Sequence, residues 1–592
     1  MMARPVWLVG LAIACGGEGG AGPVAEASIV PLTPVEHLLR ASMAVRGIRP
    51  SVAELDAIEA DPDALPGLVE GWLDSDEFGA TIEDLHAELY ELRADTNYQL
   101  PVMGPLEERG YNQADLHRST VDAPVKLVRE VVLADRPYTE ILTADYTVAN
   151  DVVAAIYGLA YDPNGPEWQH THWIDGRPQS GLLSDSEMWR RHVSNAANFH
   201  RGRANFVSRT FLCEDIGARD VFVAGGVDIS DEFAVAEAVS TQTGCVGCHN
   251  VIDPMAAFFW GYKEQLKRGA ILSAYELNCE WDWTLGPPPM GDYRIEHWCY
   301  PLKFYDVSEE GDWSYWHLRP PGFFGEPGSD MADLGRMIAA DPRFAECTAR
   351  TFAAYLTETD REAIPDRWAG ELRDVFVDSG YSAKALVEAI VLSEPFSAAK
   401  RTPGVPGPDA AFVAGLQLIR PEQASRTIRD LTGFQWLANQ DYPGCELYGN
   451  NCWGAVDLAT TDVYGFRSMM GGIDSYTVLH PTHTPTPTGI LAQRKLADEA
   501  AGFAVLAESS VDPSSRRLVT GAAPTDADET VVRAQIVAWF RRMFAETVTA
   551  DDPDVDAVYA LFSAASARAG DPKEGWRVVL STLFQDPSMV FY

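Results

Sequence analysis

The chain has 592 residues, 46% of them hydrophobic, with 86 Asp plus Glu against 46 Lys plus Arg and a formal net charge of -40. That length excludes a single compact core, and that apolar content excludes wholesale disorder. So acidic a surface repels phosphate backbones, which excludes nucleic acid as a partner and favours cationic ones.

The first residues read as an export signal. Arg4 supplies a short positive region, and Val6 to Ala14 is an apolar run too short to span a bilayer. The run ends at Cys15, so residues 1–15 resemble a bacterial lipoprotein signal in which Cys15 takes the lipid, although Ala12 stands where that pattern prefers leucine. The alternative is an ordinary cleaved secretion signal. Residues 16–30 follow as a Gly-rich tether. This places the protein at the cell envelope, lipid-anchored, on a periplasmic or outer-membrane face. No later apolar run is long enough for a transmembrane helix.

The fold class expected is mainly α: several helical modules around the region of Cys245-Val246-Gly247-Cys248-His249, a Cys-x-x-Cys-His run that reads as a cytochrome c-like haem region, with irregular Pro/Gly/Trp-rich insertions. An N-terminal helical domain spans 31–160, with helices over Pro34 to Arg46 behind the cap Thr33, Ser51 to Ala60, Leu65 to Leu73, Val125 to Leu133 and Val152 to Leu159. Ser75 to Phe78 closes its first unit. The haem region, 161–328, opens with an irregular stretch over 160–182, then helices over Asp185 to Phe199 and Arg203 to Leu212. From Trp281 to Pro327 the Pro, Gly and Trp content predicts loops and short strands. A helical module covers 329–402, a Pro/Gly linker 403–408, and a C-terminal helical domain 409–592 with an irregular stretch from Trp436 to Thr488. The segments ending at Phe78, at Pro395-Phe396 and at Asp586-Pro587 share one pattern, an apolar helix with a polar or Pro-bounded stop. They suggest three related modules.

The chemistry concentrates in Cys245-Val246-Gly247-Cys248-His249, the Cys-x-x-Cys-His attachment signature of covalent haem c. Two thiols three positions apart bond the two vinyl groups of a porphyrin, and the adjacent histidine binds the iron from the proximal side. A zinc site would need a second ligand pair, and a redox Cys-x-x-Cys would expect a βαβ context; neither is evident. For the sixth iron position the candidate is Met290, in the Pro-rich loop Gly286-Pro287-Pro288-Pro289-Met290-Gly291. Met255 is a rival too close to His249 to reach the opposite side of the haem, and His297 and His317 are the histidine alternatives. Arg203 and Arg209 are candidates for the propionates, against a plain surface role. His480-Pro481-Thr482-His483 is a weak metal candidate, and Gly471-Gly472-Ile473-Asp474 reads as a turn.

The chain has nine cysteines; with Cys15, Cys245 and Cys248 assigned, an even number remains, which in an exported protein suggests disulfides. Cys445 with Cys452 is the easiest pair to believe. Cys279 with Cys299 and Cys213 with Cys347 complete one of many permitted pairings.

Four stretches together resemble the planctomycete-type cytochrome c-like families, large exported multidomain proteins with domains of unknown function. They are Leu38-Leu39-Arg40 through Pro50; Gly181-Leu182-Leu183 with Arg209 through Glu214; Cys245 to His249 followed by Ile252-Asp253-Pro254; and Asp341 through Cys347. The third resembles the family signature Cys-x-x-Cys-His-x-x-(Met/Ile)-Asp-Pro. Met255-Ala256-Ala257-Phe258-Phe259-Trp260 is bulkier than the family's continuation. The resemblance implies architecture rather than a reaction. The sequence therefore reads as an exported monohaem c-type lipoprotein, transferring electrons to a cationic redox partner and held at the membrane by its lipid. The alternatives are a haem enzyme with an open sixth position, peroxidase-like, and a non-enzymatic scaffold with a Cys245–Cys248 disulfide.

Overall fold

Caps and prolines decide where the helices of this chain begin. In helix Pro34–Arg46 the Thr33 hydroxyl accepts from the Glu36 N–H, the Glu36 carboxylate reaches back to the Thr33 N–H, and Pro34 fills the first turn. Ser51 and Glu54 repeat the arrangement at helix Val52–Ala60. The computed structural model describes residues 29–93, 100, 102, 105–195, 198–219, 227–228, 230–263, 300–315, 318–401, 412–439, 454–462 and 464–592. Cys15, Cys279, Met290, His297, Cys299, His317, Cys445, Cys452 and the 403–408 linker lie outside the described residues.

The protein is mainly helical. Its strands form four two-stranded antiparallel pairings among the described residues, of which Ile29–Pro31 with Ala398–Arg401 spans most of the chain. No helix among the described residues is long and apolar enough to cross a membrane.

Three stretches share one local plan. The first runs through helices Pro34–Arg46, Val52–Ala60 and Leu65–Trp72, the second through Pro342–Leu356, Asp366–Asp378 and Ala383–Val391, the third through Glu529–Trp539, Pro553–Ala569 and Pro572–Leu583. Each leaves its first helical stretch through a left-handed residue: Gly47 at φ 65°, Glu358 at φ 51°, Ala545 at φ 61°. Each ends on a capping side chain, Ser75, Ser393 or Asp586, followed three positions later by a buried side chain, Phe78, Phe396 or Met589. In the first stretch Ser75 also opens the long helix Asp76–Leu89.

Two further boundaries differ from the sequence reading. Helix Gln113–Leu133 runs straight through Pro124, so it starts twelve residues before Val125. The helix expected over Asp185 to Phe199 stops at Arg191, and the chain turns through left-handed Phe199 and His200 before helix Arg201–Phe211.

Buried apolar side chains form two cores. The first draws on residues 38–396; the second on residues 419–592, joined by Met43 and Ala114 from the first half. The seam between them is polar. Arg420 binds Glu358 at 2.6 Å and also Glu88, and Asp84 is shared by Arg426 and Arg93, the latter at 2.6 Å. Gln423 donates to the Met43 carbonyl at 3.0 Å and Thr427 to the Gly47 carbonyl at 3.0 Å. Cys213 and Cys347 form a disulfide, which ties the lead-in to the motif region to the second module.

Candidate functional site

Helix Thr243–Ala256 carries Cys245, Cys248 and His249. Residues three and four apart share a helical face, so this spacing sets both thiols and the imidazole on one side. The helix packs against Arg201–Phe211 and Glu232–Thr241. The same face continues through Ile252, Met255 and Ala256, all buried in the first core. Met255 is thereby committed to packing and lies on the same helix as His249. Pro254 sits inside the helix without breaking it. Both motif cysteines are free thiols, half-buried rather than joined to each other. Cys248 Sγ lies 3.9 Å from the Ile216 carbonyl.

His249 Nδ1 lies 3.0 Å and 3.1 Å from the two carboxylate oxygens of Asp253, one helical turn on. A carboxylate only accepts, so Nδ1 is the protonated nitrogen, and Nε2 is left with its lone pair and no polar partner among the described residues. Asp253 is itself only 6% exposed. Arg201 Nε donates to its Oδ1 at 2.6 Å. Burial works against ionisation at Asp253, but the hydrogen bonds from His249 and Arg201 outweigh it and hold the carboxyl below its usual value. The result is a chain, Arg201–Asp253–His249, that fixes the ring's tautomer and orientation.

The remaining candidates are committed elsewhere. Arg203 is fully buried and donates to the carbonyls of His192, Trp189 and Lys263 at 2.8, 3.0 and 2.7 Å. It clamps the loop before its own helix. Arg209 pairs with Glu91 at 2.8 Å. Asp474 accepts from the N–H groups of Tyr476, Thr477 and Val478, which makes the Gly471 to Asp474 stretch a turn, as its composition suggests. Arg201 is the residue that sequence reasoning missed. Asp253 was legible only as part of a signature, not as the partner of His249.

Among the described residues no group of three or more His, Cys, Asp or Glu is gathered as a metal-ion cluster. A covalently attached haem asks less of the protein: two thiols and one imidazole on a single face, with the ligand nitrogen unengaged. Cys245, Cys248 and His249 fit that requirement. Comparison with protein-family models, with curated proteins and with solved structures finds no significant match for the chain.

Proposed function

We propose that the protein is an exported, monohaem c-type cytochrome-like lipoprotein of the planctomycete-type multidomain kind, transferring electrons at the cell envelope. The observation that carries the reading is the pairing of His249 Nδ1 with Asp253 while Cys245 and Cys248 stand free on the same helical face. Haem bound there would supply a one-electron iron couple. The chain's own part is to hold His249 in one tautomer through Asp253 and Arg201, with Met290 proposed for the far side of the iron. Cys15 would carry the lipid. The net charge of -40 would draw a cationic redox partner by long-range attraction.

Expression in a haem-maturing host tests this. Intact mass is expected to rise by about 600 Da, with a c-type band in the reduced spectrum. Both signals are expected to vanish in Cys245→Ser/Cys248→Ser. An unchanged mass with two alkylatable thiols overturns the reading.

One observation favours a second reading, a haem enzyme with an open sixth position. With haem bound, the Asp253 carboxylate behind His249 would make the imidazole a stronger donor and would lower the iron potential. A high-spin ferric spectrum that shifts with cyanide supports the enzyme; a low-spin spectrum indifferent to cyanide supports electron transfer.

A further inference from the structure

A cavity of about 200 Å³ opens at the edge of the seam, walled by helix Asp76–Leu89, helix Pro342–Leu356 and the loop of His480 and His483. Most of its charged groups are already matched. Arg209 pairs with Glu91, and Arg420 lies between Glu88 and Glu358 with its guanidinium 4.0 Å above the Tyr355 ring. Asp360 and Glu362 reach the cavity rim, and the Asp360 side chain is 71% exposed.

Arg361 is the exception. Its Nη1 donates to the Arg209 carbonyl at 3.2 Å and lies 3.4 Å from Cys213 Sγ, beside the disulfide. No carboxylate pairs with it, and Nε and Nη2 have no acceptor among the described residues. Burial lowers this guanidinium from its usual value; neighbouring Glu362 opposes the shift and Arg209 adds to it. Two atoms of the cavity lining, Thr351 Oγ1 and His483 Nε2, are buried without a hydrogen-bond partner. The nearest carboxylates to His483 stand at 3.6 Å (Glu358) and 3.8 Å (Asp360), beyond hydrogen-bond length. An orphaned buried polar atom is costly, and a cavity lined by two of them beside an unpaired guanidinium edge asks for a polar occupant.

The free Nε–Nη2 edge is the fork that matches two oxygens of one anion. We infer that this cavity binds a small oxyanion, a short carboxylate or an inorganic sulfate or phosphate, received by the Nε–Nη2 edge of Arg361 with Thr351, His480 and His483 around it. The volume suits a single such group and excludes a polymer. The site needs no haem and stands independently of what the motif helix carries.

The test is calorimetric titration of the full chain with sodium malonate, sulfate and phosphate, at constant ionic strength set by sodium chloride. One-to-one saturable binding of at least one of them is expected. It should weaken at least tenfold in Arg361→Gln and several-fold in Thr351→Val, with Arg361→Lys intermediate. Binding of malonate alone assigns an organic acid; binding of sulfate or phosphate assigns an inorganic anion. Absence of saturable binding by all three overturns the inference, and so does binding that survives Arg361→Gln. Thr351→Val, nearly isosteric, serves should Arg361→Gln fail to fold; unchanged affinity in it counts against the site.

Discussion

The seam between the two cores and the helix of Cys245 and His249 both depend on buried charge, and they treat it in opposite ways. In the seam the chain's own groups satisfy one another: Asp84 holds Arg93 and Arg426, and Arg420 holds Glu88 and Glu358. On the motif helix the polar chain Arg201–Asp253–His249 runs one way and ends on an unengaged nitrogen next to two free thiols. Closed networks fix how units dock; open-ended ones mark where something else is meant to bind. The contrast is sharp enough to be broken by experiment.

The largest expected effect lies in the closed network. Asp84→Ala takes the carboxylate from buried Arg426 and leaves Arg93 only Asp122, at 3.9 Å, so it should cost about 3–5 kcal/mol in urea unfolding, without changing the state of Cys245 and Cys248. A loss below about 1 kcal/mol would mean that the seam is not what joins the cores. Next comes Gly47→Ala. Gly47 is left-handed at φ 65°, and a Cβ there would stand 2.7 Å from the Arg426 guanidinium, so about 2 kcal/mol should be lost. The same substitution at Gly380, φ 74° with nothing nearby, isolates the backbone part of that loss.

Asp185 tests whether an incompletely matched charge costs stability. Burial, aided by Glu187, pushes its carboxyl up to about 7. Between about pH 4 and pH 7 the unfolded chain is ionised there while the folded chain keeps the proton, so stability falls as pH rises through that window. Asp185→Asn keeps an acceptor for the Glu187 N–H and removes the slope. It should gain on the order of 2 kcal/mol above pH 7 and nothing below pH 4. A parallel pair of pH profiles would contradict this.

The smallest effect on stability, and the most telling one, is expected at the open end. Asp253→Asn should leave unfolding within about 1 kcal/mol of the parent. In the haem-loaded protein it should move the reduction potential upward, because a neutral amide makes His249 a weaker donor. An unmoved potential would show that the Asp253–His249 hydrogen bond does not tune the iron.

Local chemistry was readable wherever neighbouring residues act on each other. Thr33 as a cap announced its helix before any fold was known, and the fold adds the reciprocal bonds of Thr33 with Glu36 and of Ser51 with Glu54. The helix through Pro124 was cut short in the sequence because proline lacks an N–H; tertiary packing of Leu116, Ala123, Val125 and Val128 overrides that local loss. The stretch after Arg191 looked helical by composition, yet left-handed Phe199 and His200 turn it. Cys213 and Cys347 are 134 positions apart, so their pairing followed only from counting an even remainder. At the site, Cys245, Cys248 and His249 are sequence neighbours and could be found. Arg201 is 52 positions from Asp253 and could not, since only the fold brings them together.

The strand-like ending of the chain closes the second core through Met589 and Tyr592. Gln417 exchanges two backbone hydrogen bonds with Tyr592, at 2.8 and 3.0 Å, and the Arg49 guanidinium reaches the Ser588 carbonyl. During synthesis the first core is complete once Phe396 has emerged from the ribosome, whereas the second cannot close until residues near 590 are free. Until then Met43 and Ala114, which belong to the later core, stay bare on the earlier one. The nascent protein therefore passes through a half-built stage whose docking face carries Met43 and Ala114 beside the carboxylates of Asp84 and Glu88.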